Sequence, residues 1–420
     1  MSDLFDELKW RGLVAQTTDE SALREALAAG PITGYCGFDP SAPSLHFGNL
    51  VQLVLLRKLQ LAGHRVIFLV GGSTGLIGDP RPTSERVLKT KEEAAANVER
   101  IKALVRPFLD FEGPNAARLV NNLDWTEPLS ALDFLRDVGK HFRVNQMIRK
   151  EAVAARLQSQ EGITYTEFSY QLLQALDFLH LYTEYDCVLQ TGGSDQWGNL
   201  TAGVDLIHRV LGATAHAWTT PLLVDSAGAK YGKSEGNAIW LSADMTSPYA
   251  FYQYFLNVED ASVITLVKVL TDRTREQVAE LEAAVEREPH RRAAQRALAA
   301  DVTALVHGAQ VSEAVQAASE AIFGRGDLMA LDAATLADAT AELPGGTVAV
   351  GATIIDALVS TGLADSRNAA RRLVADGGVS VNKVKVSDPE ATLVEADFLH
   401  GAVALVRRGR KAQAAARRTT

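Results

Sequence analysis

The chain has 420 residues, of which 47% are hydrophobic and 22% charged, with 32 Gly, 13 Pro and a formal net charge of −9. This is an ordinary globular composition with room for one to three domains and a large core, and it excludes a disordered or collagen-like chain. No apolar run approaches the roughly 18 residues of a membrane span, the opening MSDLFDELKW lacks the pattern of a secretory leader, and two cysteines, Cys36 and Cys187, make neither a disulfide framework nor a metal spacing. A cytoplasmic protein without membrane contact is expected.

In chain order, residues 32–39 (ITGYCGFD) predict a short strand. A Pro/Ser turn follows, and a helix is predicted from Leu50 to Leu61. The turn, PSAPSLHFGN (40–49), carries His46, Gly48 and Asn49 into the helix N-terminus. Unpaired N–H groups and the positive dipole end suit a phosphate there. Gly48 lets a nucleotide approach the backbone, and His46 can donate to a phosphate oxygen whose charge grows in a transition state. His64-Arg65 leads into a second strand, VIFLV, so the first half reads as a parallel α/β sheet. GGSTGLIGDP (71–80) is not a P-loop, because no Lys follows its glycines.

Further along, YQLLQALD places Tyr170, Gln174 and Asp177 at i, i+4 and i+7, a polar stripe on one face of an apolar helix. Such a stripe can wall a pocket for a small polar ligand. VLQTGG (188–193) predicts a strand, and helix is predicted at 200–212. Asp195 and Gln196 lie between them, at the carboxyl end of a parallel strand, where α/β sheets bind ligands. KYGKS (230–234) sets Lys230, Lys233 and Ser234 around a glycine in a polar loop, with ammonium groups able to follow a pyrophosphate. Three residues separate Gly228 from Gly232, one too few for a Walker loop.

After Pro248 the composition turns to Ala, Glu, Arg, Leu and Val, and residues 249–322 predict a helical domain. Residues 324–350 read as a linker with some local structure. In 351–420, Ser366 caps a helix through Arg371 and Arg372 that ends at Gly377-Gly378, and VSVNKVKV alternates as a strand with one buried face. This last segment holds 11 Lys/Arg against 7 Asp/Glu on an otherwise acidic chain. A basic end of that kind fits a polyanionic partner.

Together and in this order, these motifs resemble the class I aminoacyl-tRNA synthetases, and the bacterial tyrosyl group in particular, over essentially the whole chain. HFGN resembles the HIGH signature and KYGKS the KMSKS loop. YQLLQALD and GGSDQWGN resemble the tyrosine-pocket motifs, and SRNAARRLVADGGVSVNKVKV a small RNA-binding module. The resemblance implies a Rossmann-like α/β catalytic domain at 1–222 and a KMSKS-type loop with a helical domain at 223–323. It also implies a linker at 324–350 and an α+β RNA-binding domain at 351–420.

The resemblance further implies tyrosine–tRNA ligation. Tyr35 and Asp177 would meet the substrate phenol. Asp79, Tyr170 and Gln174 would hold its ammonium, with Gln196 near its carboxylate. Gly37, Asp39, Ser41, Gly48, Gly193 and Asp195 would contact ATP, with His46, Asn49, Lys230, Lys233 and Ser234 at the reacting phosphates. Arg371, Arg372, Lys383, Lys385, Arg407, Arg408, Arg410 and Lys411 would meet RNA. Mg²⁺ would arrive with ATP, without a dedicated protein metal site, and the enzyme would be a homodimer acting on tRNA(Tyr). The loop 81–86 lacks a lysine found in some relatives, and Arg81 or Arg86 could stand in for it. A tryptophanyl enzyme of similar fold and a non-enzymatic RNA-binding protein are the competing readings. Intact HFGN and KYGKS weigh against the latter.

Overall fold

Strand, turn and helix signals in the first half assemble into one sheet of six strands. The computed structural model describes residues 3–419, apart from 82, 83, 86, 227, 229, 230, 235, 236, 325, 410 and 411; the side chains of Glu151, Lys233, Ser234 and Asn237 also lie outside the description. The chain divides into two compact units, Met1–Thr246 with Val258–Leu298, and Ser247–Asn257 with Ala299–Thr420.

In the first unit the strands are β1 (Gln16–Thr17), β2 (Thr33–Phe38), β3 (Arg65–Val70), β4 (Arg118–Asn121), β5 (Cys187–Gly193) and β6 (His216–Thr220), in the order β1-β6-β5-β2-β3-β4. β1 is antiparallel to β6, and all other pairings are parallel. From β2 the chain builds outward to β3 and β4, then returns to place β5 and β6 on the other side. The gap between the ends of β2 and β5 is therefore a topological switch point, where open α/β sheets form a crevice. Val66–Val70 of β3 are buried throughout, the pattern of a parallel strand covered on both faces.

Helix α1 (Phe47–Leu61) starts three residues before the predicted Leu50. The reason is its cap. His46 Nδ1 accepts the Gly48 N–H at 3.0 Å and the Asn49 carbonyl oxygen accepts the His46 N–H at 3.1 Å, a reciprocal box that sequence rules reserve for Ser, Thr and Glu. Leu50, Leu53, Leu55 and Leu56 are fully buried beneath it. Helices α2 (Glu151–Gln158), α3 (Tyr165–Tyr185) and α4 (Trp197–Leu211) follow. A short hairpin of β7 (Lys233–Ser234) and β8 (Asn237–Ala238) completes the elements that matter for the site.

The helices expected at 249–322 are shared between the units rather than forming a domain of their own. In the second unit the stretch 324–350 differs from the expected linker. It holds helix α5 (Ala333–Ala341) and strand β9 (Gly345–Val348), and β9 pairs in parallel with the last strand, so the expected boundary at 351 cuts through a sheet. That sheet runs β11-β10-β12-β13-β9, with β10 (Val379–Val381), β11 (Val384–Val386), β12 (Val403–Arg408) and β13 (Ala412–Arg418). Helices α6 (Ile354–Ser360) and α7 (Arg367–Ala375) cover it through Ile355, Leu358, Ala370 and Val374, all buried. The expected single strand VSVNKVKV is a hairpin. Asn382 and Lys383 both take positive φ, 43° and 72°, the two-residue turn that matches strand twist.

Candidate active site

A cavity of about 740 Å³ opens at the carboxyl ends of β2 and β5. From β2 and the turn after it come Tyr35, Gly37, Asp39 and Ser41; from the start of α1, His46, Gly48 and Asn49. α3 contributes Tyr170, Gln174 and Asp177, and the end of β5 with the segment after it contributes Gly193, Asp195 and Gln196, with Asp79 from the loop after β3. Tyr231 and Gly232 of KYGKS also line it, whereas Lys230 lies outside the described residues, as do the side chains of Lys233 and Ser234. Gly232 has φ 86°, and a Cβ there would sit 2.7 Å from Phe47, so only glycine lets this loop rest against the helix that carries HFGN.

The deep end is a closed polar network. Asp177 is 2% exposed. Its two oxygens accept from Asn122 Nδ2 and Trp125 Nε1, each at 2.9 Å. Burial lifts its pKa to about 7, the two donors hold it down, and Asp39 adds to the lift. Tyr35, 1% exposed, has a hydroxyl with no hydrogen-bond partner among the described atoms. Burial, then the neighbouring Asp177, raises that phenol well above its ordinary value. An orphaned buried hydroxyl is costly, about 1–3 kcal/mol, and such a group marks a place where a ligand completes the bonding. The Gln174 carbonyl oxygen is a second orphan in the same wall.

Two further carboxylates are pinned. Asp39 accepts the Tyr170 hydroxyl at 2.8 Å and the Thr74 hydroxyl at 2.6 Å. Gly71 allows this contact, because a Cβ there would stand 2.2 Å from an Asp39 oxygen. Asp79 accepts from Gln196 Nε2 at 3.0 Å and Asn199 Nδ2 at 3.1 Å, and Asn199 also donates to Gln196 at 2.8 Å. Lys150 donates to the Asn199 oxygen; burial pulls this amine down to about 8, with Asp79 opposing. Thr74, which lines the cavity, and Asn122, Trp125 and Lys150, which bond to Asp177 and Asn199 from behind it, had no local sequence signal, since only the fold brings them there. Asn199 did have one, as the last residue of TGGSDQWGN.

The outer end is more open. His46, Gly48 and Asp195 are exposed, and Asn49 is half-buried with its carbonyl oxygen used in the helix cap. With Nδ1 of His46 accepting from Gly48, a neutral ring carries its proton on Nε2. Cys36, which also lines the cavity, is buried, and its thiol is pushed up to about 12 by that burial, leaving it a packed, unreactive group. Among the described residues no three His, Cys, Asp or Glu converge to hold a metal ion, and no helix is long and apolar enough to cross a membrane.

In the second unit, Lys385, Ser380 and Arg407 lie in register across β11, β10 and β12, and so share one face of the sheet, opposite the buried Val379 and Val381. Arg371 and Arg372 are exposed on α7, with Arg371 3.3 Å from Glu390. Lys383 and Arg408 are partly committed elsewhere: the Lys383 amine donates to the carbonyls of Gly324 and Gly326, and Arg408 donates to Leu363 O at 2.7 Å. Arg410 and Lys411 lie outside the described residues.

The family model for "tRNA synthetases class I (W and Y)" matches residues 27–324, and that for the "Tyrosine--tRNA ligase SYY-like C-terminal domain" matches 335–415. The chain is 58% identical to the tyrosine–tRNA ligase of Streptomyces coelicolor over 416 residues, 99% of each chain. It is 60% identical to that of Leifsonia xyli over 410 residues, covering 97% of this chain and 92% of the relative. Among solved structures it is similar to a C-terminally truncated mitochondrial tyrosyl-tRNA synthetase of Coccidioides posadasii, with TM-score 0.66 and 30% identity over 75% of this chain and 91% of that one.

Proposed function

The chain belongs to the class I tRNA synthetases of the tryptophan and tyrosine group, and from that premise we propose which of its residues carry each step. It is a tyrosine–tRNA ligase that uses ATP. In our reading, the tyrosine phenol enters the deep end, between the unpartnered Tyr35 hydroxyl and Asp177. This is the observation on which the assignment rests: a buried donor and a buried acceptor, side by side, with one hydroxyl's worth of bonding left open. Asp79, Tyr170 and Gln174 receive the ammonium, and Gln196 lies beside the carboxylate. Gly37, Asp39, Gly193 and Asp195 take the nucleotide.

The tyrosine carboxylate oxygen then attacks the α-phosphorus of ATP. A new P–O bond forms, the bond to the β-phosphate bridging oxygen breaks, and pyrophosphate leaves with the electron pair. No side chain need act as nucleophile or base. Catalysis is positioning plus charge stabilisation by Ser41, His46, Lys230 and Lys233 at the departing phosphates. Mg²⁺ would travel as a ligand of ATP; of the carboxylates that line the cavity, Asp39 already accepts two hydroxyl donors. In the second step a ribose hydroxyl at the tRNA 3′ end attacks the carbonyl carbon and AMP departs.

The small sheet domain holds tRNA(Tyr) through the Lys385–Arg407 face and α7. The unit that matters begins near Ala333 rather than at 351, because β9 belongs to its sheet. A second copy of the chain completes the enzyme. The exposed apolar side chains of Leu132, Leu135, Val144 and Ile148 within one short stretch support that reading. The two buried free cysteines suit a reducing cytoplasm.

Tyrosine-, phenylalanine- and tryptophan-dependent pyrophosphate exchange tests the pocket: exchange with tyrosine alone is expected, and equal exchange with tryptophan would sink it. Removal of residues 333–420 tests the rest, with tyrosine activation retained, tRNA charging lost, and a shallower salt dependence of tRNA binding as phosphate contacts disappear.

A further inference from the structure

A relay of amides ties the Asp79 corner of the cavity to a lysine behind it. Gln196 immediately precedes α4 and lines the 740 Å³ cavity, whereas Asn199, in the first turn of α4 and 4% exposed, does not. Asn199 Nδ2 donates to Asp79 Oδ1 at 3.1 Å and to Gln196 Oε1 at 2.8 Å, and Gln196 Nε2 donates to Asp79 Oδ2 at 3.0 Å. The Asn199 oxygen accepts from the Lys150 amine. Lys150, the residue before α2, lines a separate cavity of about 340 Å³, so it stands behind the site rather than in it. Gly198 makes room for its stem, since a Cβ there would stand 3.0 Å from Lys150 Cε.

The direction of this relay is set from both ends. A carboxylate can only accept and a protonated lysine can only donate, whereas an amide can turn either face to a neighbour. Asp79 therefore draws both amide nitrogens toward itself, and Lys150 draws the Asn199 oxygen the other way. With Asn199 held, its nitrogen fixes the Gln196 oxygen. Gln196 Nε2 then faces Asp79 with one hydrogen and can offer the second to a ligand's carboxylate. The two ends differ once a substrate arrives. An ammonium on Asp79 competes with the amides for that carboxylate, while the Lys150 end is untouched and keeps Gln196 in place. A lysine kept for the fold alone would leave its amine in water, yet burial here works against the charge and pulls the amine down to about 8.

We propose that Lys150 is a positioning residue for tyrosine activation: by fixing Asn199 it holds Gln196 with a nitrogen toward the substrate carboxylate, the group that attacks ATP. The proposal rests on the reading of the cavity in which Asp79 takes the ammonium and Gln196 lies beside the carboxylate. Its signature is a loss of rate that passes through Gln196 and leaves the choice of side chain alone, because Asp177 is held by Asn122 and Trp125, outside the relay. A misplaced carboxylate reacts slowly even when it is bound.

The test is a double-mutant cycle in the full-length chain: the unaltered chain, Lys150→Met, Gln196→Ala and the two together. Tyrosine activation is followed without tRNA, so that contacts with RNA play no part. Single-turnover adenylate formation, tyrosine Kd, thermal midpoint and the tyrosine/phenylalanine ratio in pyrophosphate exchange are measured. Lys150→Met is expected to slow adenylate formation roughly tenfold, the size of one lost hydrogen bond to a charged group. The tyrosine Kd should change by less than about threefold, with the midpoint and the amino-acid ratio kept. In the Gln196→Ala background the same substitution should slow the reaction by less than about twofold, because its route is already gone. Lys150→Gln, shorter and able to turn either face, takes the same place in the cycle if Lys150→Met does not fold. A normal rate in Lys150→Met overturns the proposal. So does equal slowing in both backgrounds, since Lys150 then does not act through Gln196, and so does a joint fall of rate, affinity and midpoint, since the lysine is then only a fold element. If Gln196→Ala alone leaves adenylate formation unchanged, the reading of the cavity itself fails, and this is seen before Lys150 is altered.

Discussion

The two ends of the cavity are built in opposite ways. At the deep end, where we propose that tyrosine binds, the carboxylates are buried or half-buried and each held by two neutral donors: Asp177 by Asn122 and Trp125, Asp79 by Gln196 and Asn199. At the outer end, where we propose that the phosphates lie, His46 and Gly48 are exposed and the polar contacts given are those of a helix cap. The first design suits selection of a ligand, because a dry site with fixed partners penalises any molecule that leaves one unpaired. The second suits acceleration of the proposed reaction, because donors at a helix N-terminus would meet charge that grows only as the phosphates separate. A residue's place along the cavity should thus decide whether its loss changes specificity or rate.

The largest effect should come from the phosphate end. His46→Ala is expected to slow adenylate formation by roughly 10²- to 10³-fold, the loss typical of one oriented donor, with tyrosine affinity almost unchanged. Single-turnover kinetics beside equilibrium binding of tyrosine separates the two. A matching loss of affinity would erase the distinction between the ends. Next come Tyr35→Phe and Asp177→Asn. Each removes a partner of the phenol, so the preference for tyrosine over phenylalanine should narrow by roughly 10- to 100-fold, the worth of a hydrogen bond to a charged or buried group. Competition between the two amino acids in pyrophosphate exchange measures it, and unchanged ratios in both variants would remove the deep end as the selecting element.

How far these two ends were legible in the sequence follows from the same contrast. Tyr170, Gln174 and Asp177 announce themselves by helical spacing, and His46, Gly48 and Asn49 by a turn before a helix. The periodicity of α3 could not say that its polar stripe faces inward. Asp177 is buried because Asn122 and Trp125, more than 50 residues earlier in the chain, supply its bonds, and no local pattern encodes that meeting. The cap at His46 was hidden for another reason: histidine and asparagine form a box that propensity assigns to other residues. In the small domain, the alternation of VSVNKVKV was visible, but the turn at Asn382-Lys383 was not, since lysine rarely takes positive φ. β9 was missed because a four-residue strand with two glycines has almost no signal of its own.

The smallest predicted effect is the most diagnostic of how the tyrosine end works. Burial lifts Asp177 to about 7, so in the ligand-free chain it loses its proton near neutrality. A phenol O–H binds best to the ionised carboxylate, and tyrosine affinity should therefore rise as pH increases through 7 and level off above it. Between pH 6 and 8 the ionised fraction changes about tenfold for a group of this pKa, which bounds the effect at about tenfold. Phenylalanine offers no donor, so its binding should weaken over the same range and the tyrosine preference should grow. Removing one of the two donors, as in Trp125→Phe, takes away a bond that favours the charged form and should move the midpoint upward. The stability of the empty chain must run the other way. The folded state keeps this proton up to about pH 7, whereas the unfolded chain releases it near pH 4. Stability should fall across that window, by at most about 1.4 kcal/mol per pH unit from this group, and change no further from it at higher pH. Asp177→Asn should flatten the thermal midpoint against pH between 5 and 7. If tyrosine affinity is flat from pH 6 to 8, or if Asp177→Asn keeps the full slope, the carboxylate at the bottom of the pocket does not change its charge over this range and the coupling between its proton and tyrosine binding is absent.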